Sequence, residues 1–246
     1  MYITVMLIRR HLLLLYCQLL TTVLFGQTTP KAFNEATDAF MKAHVDGGRV
    51  DYSRLSKSGA DLSALYKQAG ATNLAGASDA EKKAFYINAY NVAVIHDVVQ
   101  HFPLKSPLDQ PGFFDKTKHR IAGQEMTLNQ LEKDRLLNTY GDARIHFVVV
   151  CAAVSCPPLA SFAYMPDKLD AQLDERTRLA LNDPTFIQVN RGQKKVNVSK
   201  IFDWYKSDFT KGGQSILGYV NGFRREKIPN DYALGFYEYN WNLNGR

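Results

Sequence analysis

The chain has 246 residues, 46% hydrophobic and 22% charged, an ordinary globular composition with material for one large domain or two small ones. Thirty Lys and Arg against 24 Asp and Glu leave a surplus of +6 spread thinly along the sequence, which argues against a nucleic-acid partner. Three cysteines are too few for a disulfide scaffold, and with no CxxC or His/Cys ladder of ligand spacing, neither a metal nor another cofactor is expected.

Arg9, Arg10 and His11 precede an apolar run over residues 12–25, broken only by Gln18, Thr21 and Thr22, and Gly26-Gln27 ends it. This order of basic, apolar and small residues predicts a secretory signal over residues 1–26. The run is shorter than the roughly 20 apolar residues of a spanning helix, so removal is favoured over an uncleaved amino-terminal anchor. Cys17 lacks a small-residue lipobox. The expected mature chain, residues 27–246, is then periplasmic or extracellular and has no stable membrane span. It keeps only Cys151 and Cys156, in a compartment where thiols oxidise.

Helices are predicted at residues 37–44 and 60–68, followed by a loop at Gly70 and Gly76. Between residues 79 and 102, Phe85, Asn88, Val92, Ile95, Val99 and Phe102 recur at spacings of three and four, and Ile87, Asn91, Val94 and Val98 form a second stripe beside them. A helix apolar around most of its circumference belongs at the centre, and Pro103 stops it. Residues 104–123, rich in Pro, Gly and Lys, read as a surface excursion with a solvated His119. Thr127 and Gln130 form a capping box that opens a helix to about Tyr140, and Gly141-Asp142 ends it.

Residues 144–151 read as a strand buried on both faces, and residues 167–181 as an amphipathic helix. Residues 185–190 and 194–198 form a hairpin. Ser199 caps a segment dense in aromatics, with Ile201, Phe202, Trp204, Tyr205 and Phe209, and residues 232–241 form a closing strand. The fold class is α+β: a mostly helical single domain around a central buried helix, with a small mixed or antiparallel sheet.

The stretch from Val150 to Leu159 carries the most chemical information. A buried strand runs into a small-residue loop, and Cys156 precedes prolines suited to a helix start. If residues 159–164 are helical, Cys156 lies where unpaired N–H groups favour a thiolate, a credible nucleophile. A disulfide to Cys151 and an inert buried thiol stand beside that reading.

His146 is the first candidate base, although five residues of strand at ~3.3 Å each would put it about 16 Å from Cys151. His96 and His101 are alternatives. Asn88 and Asn91 lie on apolar stripes, so their amides must find partners, either loop backbone, which is favoured, or a pocket floor. Glu132 either orients a histidine or lies on a solvated face, the latter being favoured. Tyr237, Tyr239 and Trp241 alternate at strand spacing, with a core role as the default and a ligand platform as the rival.

Several motifs together resemble one family, domain of unknown function 547. They are Tyr86-Ile-Asn88-Ala-Tyr90-Asn91, Thr127-Leu-Asn-Gln-Leu-Glu132, Arg144-Ile-His146-Phe147, and Cys151-Ala-Ala-Val-Ser155-Cys156-Pro-Pro. Ile201-Phe-Asp-Trp204-Tyr205 with Asp208-Phe209, and Tyr239-Asn240-Trp241-Asn-Leu-Asn, complete the set. The resemblance implies bacterial envelope proteins, with plant relatives that carry the domain beside a coiled coil, and no established reaction. Many members resemble Ile-Glu-His followed four residues later by Arg, where this chain has Leu131-Glu132-Lys133 and Leu137. If that histidine is the general base in those members, this chain lacks it.

Two functions follow as expectations. One is a thiol hydrolase or acyltransferase acting on amide or ester bonds. Its catalytic set would be Cys156, His146 and Glu132, with Asn88, Asn91, Tyr90 and Ser155 binding or positioning the substrate. The other is a non-catalytic module of the cell envelope that binds a peptide or an envelope polymer.

Overall fold

In the computed structural model, which describes residues 28–246, the longest helix begins and ends where local chemistry dictates. Ser78 Oγ accepts the Glu81 N–H while the Glu81 carboxylate takes the Ser78 N–H at 2.8 Å, a reciprocal cap that opens Asp79–Gln100. Fourteen of its 22 residues are buried, so this helix is enclosed beyond its first turn and the rest of the chain folds around it. The expected signal at residues 1–26 lies outside the described residues.

Before the central helix come α1 (Pro30–His44), a short hairpin of β1 (Val45–Asp46) and β2 (Arg49–Val50), α2 (Tyr52–Ser58) and α3 (Ala60–Ala71). The central helix is α4. It is followed by β3 (Lys118–Ile121) and β4 (Gln124–Thr127), paired antiparallel, and by α5. The α5 helix opens over Leu128–Gln130, widens into π-helical turns over Leu131–Leu137 and closes over Asn138–Tyr140. Its predicted capping box is present, with Gln130 N–H on Thr127 Oγ1 and Thr127 N–H on Gln130 Oε1.

Beyond α6 (Leu169–Asn182) lie β5 (Ile187–Asn190) and β6 (Lys195–Val198), then short α7 (Ile201–Trp204) and α8 (Lys206–Phe209), α9 (Ile216–Phe223) and β7 (Ala233–Phe236). β5 and β6 pair antiparallel from Ile187 opposite Val198, and β7 adds parallel to β6, so this small sheet is mixed. The described residues form a mostly helical α+β fold, half helix and 13% strand. One apolar cluster surrounds α4, with Phe33, Phe85 and Ile95 fully enclosed. A second lies under the mixed sheet, around Phe147, Phe186, Phe202 and Phe209, and Tyr205 packs against both. Among the described residues no helix is long and apolar enough to cross a membrane.

Three expectations are corrected. Residues 144–151 form no strand: Ala143–Phe147 is a 3-10 turn, and the chain then turns at Val148 and bends at Val149 before running irregularly past α4 to Cys151. Asn91 takes the place of a neighbouring strand, its Nδ2 donating to Val148 O at 2.8 Å and its Oδ1 accepting the Val150 N–H at 2.9 Å. Residues 159–164 are not helical either. Asn88 holds them open by donating to Tyr164 O and accepting from Tyr164 N, both at 2.9 Å.

The excursion at 104–123 folds back as the β3–β4 hairpin, which docks on α3 through Ala122 N–H to Ala69 O and Gly123 N–H to Gly70 O. His119 is therefore buried, and Tyr66 Oη lies 3.0 Å from its Nδ1.

Burial disfavours the charged imidazole, and the pair His96 and His119 is held down to about 4 in each case, with a neighbouring histidine adding to the effect. Folding then keeps both rings neutral. Their contribution to stability is complete above the ordinary histidine value of 6.5 and is lost progressively as pH falls from there toward 4. At Asp142 burial pushes the carboxyl up, but hydrogen bonds from Arg144 and Lys83 outweigh it and hold the group at about 2. That contribution is present above 3.8 and is lost as pH falls through about 2. Acid should therefore weaken the protein in two stages. Thermal melts across pH 7 to 2 check this: His119→Gln should flatten the upper stage and Asp142→Asn the lower, and a profile unchanged by both would contradict it.

Candidate functional site

A cavity of about 290 Å³ opens where α4, α5, the cysteine loop, α7 and the carboxy-terminal segment meet. From α4 comes Tyr90 and from the π-helical part of α5 comes Glu132, where the bond from Asn138 N–H to Lys133 O marks the widened turn. Asn129 and Phe114 stand beside them, joined by Asn129 N–H to Phe114 O at 2.9 Å. Trp204 and Tyr205 from α7 face Tyr239 and Trp241 from the tail. The rings form one wall, with centroids 5.0 Å apart for Trp204 and Tyr239 and 4.8 Å for Tyr239 and Trp241.

The tail reaches the cavity because it pairs irregularly with the cysteine loop. Ser155 N–H donates to Asn240 O, Asn240 N–H to Ser155 Oγ at 2.9 Å, and Val154 N–H to Asn242 O at 2.8 Å. The expected strand over 232–241 is thus confined to Ala233–Phe236, and beyond it the chain leaves the sheet to follow this loop. Tyr239 and Trp241 are half-buried at the cavity rather than in the core, which corrects their default assignment. Tyr237 does not line it.

Glu132 is 8% exposed, against the expectation of a solvated face. Its Oε1 accepts from Tyr205 Oη at 2.9 Å and its Oε2 from Tyr90 Oη at 3.3 Å. Burial, with the Glu132 carboxyl adding to it, pushes both tyrosine hydroxyls well above 10, so they stay protonated donors. Glu132 takes part in none of the ion pairs among the described residues.

His146 also lines the cavity, because the 3-10 turn shortens the path that a strand would have stretched. Its Nε2 lies 2.9 Å from Asp208 Oδ2. The hydrogen bond from His146 draws the Asp208 carboxyl down, against a smaller upward push from burial. A carboxylate that fixes an imidazole is the orienting half of a nucleophile–base–acid arrangement.

Cys151 and Cys156 lie at the same cavity and are bonded to each other as a disulfide. The Tyr239 hydroxyl is 3.1 Å from Cys156 Sγ and 3.2 Å from Cys151 Sγ, and the Cys151 N–H points to Cys156 Sγ at 3.1 Å. In this form Cys156 is not a thiolate. The helix terminus expected to lower its pKa is also absent, since residues 159–164 are irregular and bend at Ser161 and Phe162.

The cavity therefore gathers four of the seven sequence-derived site residues: Cys156, His146, Glu132 and Tyr90. Asn88, Asn91 and Ser155 lie outside it, with their polar atoms engaged by Tyr164, by Val148 and Val150, and by Asn240. They position the loop and the tail. His96 and His101 do not line the cavity, and His96 stacks on Tyr66 at 3.8 Å. Asp208 was missed. The sequence carries it only inside the Asp208-Phe209 motif, a carboxylate four residues after Trp204 with no role attached to it. Among the described residues no group of three or more His, Cys, Asp or Glu is placed to hold a metal ion.

A family model described as "Protein of unknown function, DUF547" matches residues 74–179. Over this stretch the chain is similar to that family. The DUF547 match takes in Tyr90, Glu132, His146 and both cysteines, whereas Trp204, Tyr205, Asp208, Tyr239 and Trp241 lie beyond it. The aromatic wall is thus supplied by chain outside the matched stretch. No curated protein and no solved structure matches the chain.

Proposed function

We propose that this chain is an exported binding module of the cell envelope whose aromatic cavity takes a small ligand or an exposed group of a peptide or envelope polymer. One observation carries the reading. A cavity with a half-buried wall of Trp and Tyr and a buried carboxyl presents both its sulfurs bonded to each other, so it offers contact area and polar orientation but no nucleophile. Export fits the bridge, since disulfides persist in oxidising compartments.

The test is a titration of the disulfide-bonded protein with soluble envelope-polymer fragments and short peptides, followed by calorimetry. Binding should be measurable without reductant and should fall at least about tenfold in Trp241→Ala, the loss of one aromatic contact of ~1.4 kcal/mol. Binding unchanged by Trp241→Ala would contradict the assignment of the cavity.

A second reading is favoured by the His146–Asp208 pair, which shares the cavity with Cys156. Once a thiol reductant opens the bridge, His146 could take the Cys156 proton, and the thiolate could attack an ester or amide carbonyl and expel the alcohol or amine. Hydrolysis of p-nitrophenyl acetate that appears only after dithiothreitol, and vanishes in Cys156→Ser, would move the function to this reading.

A further inference from the structure

We infer that the cavity is selective for an organic cation, an ammonium group held between the aromatic wall and Glu132. This rests on the binding reading above and names its ligand class. The first observation is a buried carboxyl that no Lys or Arg among the described residues pairs with. Glu132 is almost fully enclosed, no Lys or Arg among the described residues lines the cavity, and the His146 imidazole there is already hydrogen-bonded to Asp208 outside it. The chain carries 30 Lys and Arg, so their absence from this one wall is a property of the site.

The two tyrosine hydroxyls occupy one site on each Glu132 oxygen, and a carboxylate offers about four, which leaves acceptor capacity for a third donor. An anion would meet the carboxyl unfavourably, and a neutral apolar guest would desolvate it without compensation. A cation satisfies both demands.

The second observation is the wall itself. A cation over the face of an aromatic ring is attracted by the ring quadrupole, most strongly for Trp. Trp204 and Trp241 stack at 6.0 Å with planes 26° apart, and Tyr239 closes the angle between them. A volume of about 290 Å³ lies at the small end for ligand pockets, which suits a choline-sized headgroup better than a fused-ring ligand.

The chain supplies its own reporter, because its two tryptophans are the two that line the cavity. Intrinsic fluorescence of the disulfide-bonded protein is titrated with choline, with its neutral isostere 3,3-dimethylbutan-1-ol, and with glucose. Choline should quench to saturation, with the isostere about tenfold or more weaker. Glu132→Gln, which keeps the size, accepts from one tyrosine through its carbonyl oxygen and donates to the other through its NH2, should lose about tenfold for choline and far less for the isostere.

Equal affinity for choline and the isostere overturns the cation but leaves a binding cavity in place. A response to glucose alone does the same. No response to any probe overturns the cation and counts against the binding reading as well. The comparison of choline with its isostere uses the unaltered protein, so the outcome stands even if Glu132→Gln fails to fold.

Discussion

Asn91→Ala should destabilise the protein by about 2–6 kcal/mol, from two buried backbone groups each left without a partner at ~1–3 kcal/mol. The two groups are Val148 O and Val150 N, in a segment that is neither strand nor helix at that point and has no regular ladder to fall back on. Asn91 is 2% exposed, so water cannot replace its amide without opening the helix face. Asn91→Leu keeps most of the volume and loses the same two bonds, so it separates the polar effect from a cavity effect. Urea unfolding of both variants is the measurement. A loss under about 1 kcal/mol in each would mean that the segment finds other partners, and the bracket would be a minor contact. Because the bracketed residues lead directly into Cys151, the same variants should also reduce ligand quenching of Trp204 and Trp241 where they remain folded.

The central helix was legible because capping and periodicity agree. Residues 79–102 were expected and Asp79–Gln100 is observed, since Ser78 and Glu81 fix one end and the apolar stripes do not stop before Pro103. The β5–β6 hairpin was legible for a similar reason, with β-branched runs on both sides of Arg191-Gly192-Gln193. The segment at 144–151 was not. A continuous apolar run records that both sides are buried, yet it does not record whether its backbone is satisfied by a strand or by the side chain of Asn91.

Glu132 was misplaced because a helical carboxyl is solvated by default, and nothing in the local sequence marks its burial beneath the distant Tyr90 and Tyr205 hydroxyls. The contribution of the tail was hidden by distance. Asn240 meets Ser155 across 85 residues, through backbone and hydroxyl groups that leave no composition signal. His119 was misread for the opposite reason: the Pro and Gly around it are real turn signals, but the hairpin they create docks on α3 instead of facing solvent.

Replacing both cysteines, Cys151→Ser with Cys156→Ser, should cost about 2 kcal/mol, the loop-closure value for a bridge spanning so few residues. The bridge cross-links a separation of only five residues, so it removes little unfolded-chain entropy, and its effect is concentrated on the geometry of the cavity mouth. The Tyr239 hydroxyl contacts both sulfurs, and its ring belongs to the aromatic wall, so opening the bridge loosens the tail as well as the loop. Reduction of the unaltered protein should therefore weaken choline quenching together with the fall in stability.

Iodoacetamide should label neither cysteine before reduction, because a bonded sulfur presents no thiolate. After reduction, the binding reading expects Cys156 to be alkylated no faster than free cysteine, with Asp208→Asn leaving the rate alone. The thiol reading expects the reverse. An imidazole fixed by Asp208 would raise the thiolate fraction of Cys156, and removing that carboxylate would slow labelling severalfold. Mass spectrometry of the labelled peptide, with Asp208→Asn beside the unaltered chain, decides which chemistry the cavity was built for.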